Sequence, residues 1–141
     1  MIIPARLRAL VVDDNAYARA VSAQNFKKLG VGQIAEAEGG AEALLLLLTQ
    51  PFDLMLMDWY MPDISGAGLM QVLRDARFGP ASAMPVIFMT AYPSRDNLAR
   101  ARELGVNEVL AKPFTAEHLG MAMGRVLGPA TSAQIDDAIY F

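Results

Sequence analysis

The chain has 141 residues, a net charge of −3, and is 54% hydrophobic and 19% charged. That is the length of one domain with enough apolar residues for a sizeable core, which excludes a disordered chain. It has no cysteine, which excludes disulfides and thiolate metal sites, and no basic tract, which argues against direct nucleic-acid binding.

The N-terminus, Met1-Ile2-Ile3-Pro4-Ala5-Arg6, lacks the long apolar core of a signal peptide and is expected to run straight into a strand. The run of residues 7–12 is short, continuous and β-branched at its end, as a buried strand is. Residues 15–29 carry apolar side chains at Ala18, Val21, Ala23, Phe26 and Leu29, near a 3.6 period, and Gly30 stops that helix. Residues 33–37 form a weaker strand, Gly39-Gly40 a break, and residues 41–49 a helix that ends before Pro51. Residues 53–57 are a third strand. A loop with Met61-Pro62 and Gly66 follows, then a helix over 67–78 that Gly79-Pro80 ends. Residues 86–89 are the fourth strand. Ser94 caps a helix to Leu104, with Gly105 as its stop. Residues 107–110 are the fifth strand, and Thr115 caps a last helix ended by Gly128-Pro129. The longest apolar stretch, 43–48, is far below the ~20 residues of a membrane span. A cytoplasmic, soluble protein is expected.

Five strand–helix units with continuous apolar strands predict an α/β fold. Its sheet is parallel, doubly wound and five-stranded, covered on both faces. The expected order is 2-1-3-4-5, the flavodoxin-like arrangement, whose crevice opens at the carboxyl ends of strands 1 and 3. Residues 1–128 make the domain and 129–141 a tail or linker. Five polar groups end four of the strands: Asp13 and Asp14, Asp58, Thr90, and Lys112.

Three carboxylates brought together resist joint ionisation, and a hard divalent ion such as Mg²⁺ (or Mn²⁺) resolves the conflict. Asp14, Asp58 and a loop carbonyl near Tyr60 are the expected ligands, with Asp13 acting through water. Asp58 is the expected nucleophile toward a phosphoryl group, giving an aspartyl phosphate. Lys112 then neutralises one phosphoryl oxygen and Thr90 donates to another. A cis Lys112–Pro113 bond is expected, aiming the lysine into the pocket.

The acidic pair Asp13-Asp14 and the segment Asp58-Trp59-Tyr60-Met61-Pro62-Asp63-Ile64-Ser65-Gly66, with its Asp-x-x-Met-Pro-x-x-x-Gly pattern, resemble the receiver domains of two-component response regulators, the CheY-like family. Thr90-Ala91 and Lys112-Pro113-Phe114 complete the match, which covers about residues 7–127. The resemblance implies phosphorylation of Asp58 by a histidine kinase or histidine phosphotransfer protein, slow self-dephosphorylation, and a movement of Thr90. That movement rearranges the surface of the fourth helix, fifth strand and fifth helix for an unidentified downstream protein. The family's aromatic three residues before the lysine is Val109 here. Tyr60 and Tyr92, each two residues past a site residue, are expected to crowd attacking water and slow dephosphorylation.

Arg95, Arg100, Arg102, Met121 and Met123 are expected on the output face, and His118 as a solvated helix residue. Small residues Ala16 and Ala20 leave room for a partner helix. The leucines at 44–48 cannot all face one core and suggest a self-association patch, hence a homodimer. No membrane partner is expected, and nothing after Gly128 is long enough for an effector domain. The chain then acts as a stand-alone receiver, or is cut from a longer regulator or hybrid kinase. A non-phosphorylated interaction module is the alternative on the same fold. A haloacid-dehalogenase-like phosphatase needs an acid where Tyr60 stands, and an FMN protein a hydroxyl- and glycine-rich loop where Asp13-Asp14-Asn15 stands.

Overall fold

The computed structural model describes residues 2–128; the expectations for 129–141 lie outside them. Strands β1 (Arg8–Val12), β2 (Gln33–Ala37), β3 (Leu54–Asp58), β4 (Val86–Thr90) and β5 (Glu108–Ala111) form one parallel sheet in the order β2-β1-β3-β4-β5. Helices α1 (Ala16–Lys28), α2 (Gly40–Thr49), α3 (Gly66–Arg74), α4 (Arg95–Glu103) and α5 (Ala116–Leu127) alternate with the strands. The predicted flavodoxin-like topology is the observed one.

Alternate residues of each strand point to opposite faces, so a strand buried on both sides must be apolar throughout. Leu10, Val12, Met55, Met57 and Phe88 meet α2, α3 and α4 on one face through Leu47, Leu69 and Ala101. Ala9, Val11, Leu56, Ile87 and Met89 meet α1 and α5 on the other through Phe26, Leu119 and Met123. Met123 is therefore core, and of the two methionines expected on the output surface only Met121 is part-exposed.

Three local expectations need correction. Residues 4–6 form a 3-10 turn before β1, because Pro4 opens it and Leu7 N–H donates back to the Pro4 carbonyl. The third helix stops at Arg74 rather than at 78. Asp75 is extended, and its carboxylate accepts from Arg77 N–H at 2.9 Å to start a separate 3-10 turn over Ala76–Phe78. In α1 the buried face runs through Ser22, Ala23, Asn25 and Phe26, leaving Val21 exposed. In α2 the leucine run divides as expected: Leu47 is buried, Leu44 and Leu46 are partly covered, and Leu45 and Leu48 face outward.

Helix starts carry side-chain caps where the sequence offers them. Asn15, Ser65, Ser94 and Thr115 accept from the backbone of α1, α3, α4 and α5. His118 completes a capping box by accepting from Thr115 N–H at 3.5 Å, so this exposed histidine has a structural partner. The exception is α2, which begins at Gly39-Gly40 with no local cap. Asp63, from the loop after β3, accepts from Gly40 N–H at 3.1 Å and Ala41 N–H at 3.0 Å instead. A Cβ on Gly39 would stand 2.6 Å from that carboxylate, so the glycine makes room for the cap.

Candidate functional site

The carboxyl edge of the sheet gathers the polar strand ends. Asp13 follows β1 and is held in line by its N–H donating to Ala37 O at 3.1 Å. It is 1% exposed, and its Oδ1 accepts from Asn15 N–H at 2.9 Å. Asp58 ends β3. Thr90 ends β4 and is buried. Lys112 follows β5, and its backbone N–H donates to Thr90 O at 2.7 Å, which locks the two residues side by side.

Lys112 Nζ lies 3.0 Å from Asp58 Oδ1 and 3.5 Å from Asp13 Oδ2. One cation thus serves two carboxylates, and Asp13 Oδ2 has no hydrogen bond at all. Asp14, exposed, joins them: one oxygen from each of Asp13, Asp14 and Asp58 lies within 4.8 Å of the others. Burial pushes the Asp58 carboxyl above its ordinary value; the Lys112 hydrogen bond and charge oppose that shift, and Asp13 adds to it. Three clustered carboxylates, with a buried oxygen left unpaired, suit a hard divalent cation taking oxygen ligands.

The Lys112–Pro113 bond is cis, as expected. Thr90 Oγ1 accepts from Tyr92 N–H at 3.0 Å, which leaves the hydroxyl proton to donate. Ala91 and Pro113 are exposed beside these residues. Tyr60 and Tyr92 are 61% and 68% exposed, so their rings stand in solvent around the edge rather than in the core. Val109 does not reach the edge; it pairs with Phe88 across the strands and packs into the face beneath α2, α3 and α4.

Trp59 turns inward beside Asp58, with its ring centroid 4.3 Å from that of Phe88. A Cβ on Gly66 would meet the indole at 2.7 Å, and Gly66 N–H donates to Trp59 O at 2.9 Å. The glycine of the Asp-x-x-Met-Pro-x-x-x-Gly pattern therefore closes the loop against the residue next to Asp58. Arg19 was not foreseen from the sequence. Its guanidinium donates to Asp13 O at 2.9 Å and pairs with Glu36 at 3.1 Å. Nor was the Asp63 cap, although the missing acceptor at Gly39-Gly40 was a signal that one must come from elsewhere.

A parallel sheet of this order with an acidic triad, a hydroxyl and a lysine at its carboxyl edge defines the class of receiver modules. The family model described as "Response regulator receiver domain" matches residues 9–123. The chain belongs to that family, which works in two-component signalling and acts as a phosphoacceptor switch. It is 34% identical over 128 residues to a probable chemotaxis protein CheY of Rhizobium etli, covering 91% of this chain and 98% of that one. It is 36% identical to the chemotaxis protein CheY of Pseudomonas aeruginosa, covering 80% and 90%. Among solved structures it resembles Vibrio cholerae chemotaxis protein CheY4 (TM-score 0.78, 26% identity, 86% of this chain and 98% of that one). It also resembles the receiver domain of a Pseudomonas aeruginosa sensor histidine kinase, which has a magnesium ion coordinated in its active site cleft (TM-score 0.78, 25% identity, 86% and 98%). Among the described residues no helix is long and apolar enough to cross a membrane.

Proposed function

We propose that Asp58 is the phosphoacceptor of a two-component phosphorelay. The observation that carries this reading is Lys112 Nζ at 3.0 Å from Asp58 Oδ1, inside a cluster that also holds Asp13 and Asp14. An Asp58 oxygen attacks phosphorus, forming an O–P bond. The donor's P–N bond breaks, and the leaving imidazole takes up a proton. Lys112 neutralises one phosphoryl oxygen, and Thr90 donates its hydroxyl proton to another. Asp13, Asp14, Asp58 and the Tyr60 carbonyl would hold Mg²⁺, or Mn²⁺ in its place, which when bound offsets the repulsion between carboxylates and phosphoryl group.

The donor is a histidine kinase or histidine phosphotransfer protein. The output is a changed contact with a downstream protein in the cytoplasm. With Val109 where the family has an aromatic, Thr90 signals through the β4–α4 segment that carries Ala91 and Tyr92. Tyr60 and Tyr92 crowd the approach of water and lengthen the phosphate lifetime. A lifetime in Tyr60→Ala and Tyr92→Ala no shorter than in the parent would dispose of that point. Exposed Leu45 and Leu48 on α2 are the patch on which two copies would meet.

Acetyl phosphate with Mg²⁺, followed by intact-mass measurement, tests the reading. A phosphoryl adduct on the parent chain and none on Asp58→Asn is expected. No adduct on the parent would leave a non-phosphorylated interaction module.

A further inference from the structure

We infer that Asp63 is a positioning residue for the acidic cluster: it caps α2 from the loop after β3, and so ties the chain that carries Tyr60 to the first turn of that helix. This rests on the reading of Asp13, Asp14, Asp58 and the Tyr60 carbonyl as the holders of Mg²⁺. The loop, residues 59–65, joins Asp58 at the end of β3 to the start of α3. Trp59 packs on Phe88 and its carbonyl accepts from Gly66 N–H, Met61 is buried in the core, and Ser65 caps α3. Tyr60, Pro62 and Asp63 are exposed between these anchors. The Asp63 carboxylate holds that exposed stretch down on α2.

Both of its oxygens are used. Oδ1 accepts from Gly40 N–H and Oδ2 from Ala41 N–H, the first two amides of the helix. Two glycines admit the approach. A Cβ on Gly39 would meet Asp63 Oδ1, and one on Gly40 would stand 2.7 Å from Ile64 Cβ. The helices α1, α3, α4 and α5 each take a cap from the residue just before them. Among the described α-helices only α2 takes its cap from 23 residues away. An aspartate at position 39, where the backbone is already extended, would serve the helix equally well. What only a distant cap adds is a tie between two segments. A carboxylate that accepts two N–H groups at the positive end of a helix is firmly held even in water. A carbonyl ligand fixed before the ion arrives spares the ordering that binding would otherwise cost. Linkage makes the effect mutual: the factor that the tie adds to metal affinity, bound metal adds to the tie. The first turn of α2 thereby senses the cluster, on the helix that carries the outward Leu45 and Leu48.

The test separates the tie from the cap. In Gly39→Asp with Asp63→Ala, the cap and its charge return to α2 from within its own segment, while the loop is released. The close contact at position 39 disappears with the Asp63 side chain. Mg²⁺ binding to the full chain is measured by isothermal titration calorimetry. The dissociation constant should rise about five-fold in Asp63→Ala and stay raised in the double variant, although its melting temperature recovers. A constant within about two-fold of the parent in the double variant makes Asp63 a helix cap only and overturns the proposal. Amide hydrogen exchange on the parent is the second measurement. Saturating Mg²⁺ should slow exchange at Gly40 and Ala41 by about the same factor. Exchange there unaltered by Mg²⁺ overturns the proposal, whether or not the double variant folds. No Mg²⁺ binding by the parent overturns the reading of the cluster as a metal site, and the positioning role with it. Mg²⁺ binding with the five-fold loss, but no phosphoryl adduct from acetyl phosphate, supports the tie and overturns only Asp58 as acceptor.

Discussion

The two edges of the sheet each bury a charge and treat it in opposite ways. At the amino edge Arg74, at the end of α3, is half-buried with no carboxylate in contact among the described residues. Its guanidinium donates to Gly105 O at 3.1 and 2.8 Å, to Ser82 O at 2.9 Å and to Asn107 Oδ1 at 3.0 Å. Asn107 Oδ1 in turn accepts from Val86 N–H. Burial alone holds the arginine below its ordinary value, and fixed carbonyls meet its donors. At the carboxyl edge Asp13 keeps a bare oxygen, shares its lysine with Asp58, and stands among like charges. A charge that only builds the fold is saturated with hydrogen bonds; one kept for a ligand is left short of partners.

The contrast can be broken at either edge. Arg74→Met should be the costliest change, about 2–3 kcal/mol, because it orphans the Gly105 and Ser82 carbonyls and takes one of its two donors from Asn107 Oδ1. Urea denaturation would show it as a lowered midpoint, and a midpoint unchanged from the parent would mean that the clamp is ornamental. Asp13→Asn should move the other way. Removing one of three clustered carboxylates relieves repulsion and raises stability by roughly 1 kcal/mol, while Mg²⁺ affinity falls. If that variant is less stable than the parent in metal-free buffer, the under-satisfaction of Asp13 has been misjudged.

Mg²⁺ should sharpen the same contrast. At ten times its dissociation constant it should stabilise the parent by about 1.4 kcal/mol and leave Asp13→Asn/Asp58→Asn unmoved. Thermal melts with and without chelator read this directly. Ser65→Ala, which removes the cap of α3 between the two edges, should cost about 1 kcal/mol.

The smallest effect concerns Asp63. Hydrogen bonds from Ala41 and other backbone N–H groups hold its carboxyl below the ordinary value. The folded value is the lower one, so its stabilising contribution is present above the unfolded value and fades as pH falls through the folded one. Between those two values the melting temperature of the parent should drop with acid more steeply than that of Asp63→Asn.

The two edges also differed in how far the sequence disclosed them. Asp13, Asp14, Asp58, Thr90 and Lys112 each end an apolar run, and a parallel sheet brings such ends together, so their meeting followed from pattern alone. The amino edge depends on contacts between distant segments. Nothing in residues 67–78 says that Arg74 will reach the turn at Gly105, or that Asp75 will leave the helix to cap the next turn. The Asp63 cap spans twenty-three residues and was equally hidden. In α1 the 3.6 period placed Val21 inward, but the buried face runs through Ser22, Ala23, Asn25 and Phe26 and leaves Val21 exposed.

Trp59 is the only tryptophan in the chain, and its indole lies against Phe88 one residue from Asp58. Excited near 295 nm, the molecule therefore emits from one edge alone. Its fluorescence follows the acidic pocket as it takes up metal or is modified, and is blind to the arginine clamp at the opposite edge. Any unfolding curve read by that emission is a curve for the carboxyl edge. Comparing it with far-ultraviolet circular dichroism would show whether the two edges of this sheet come apart together.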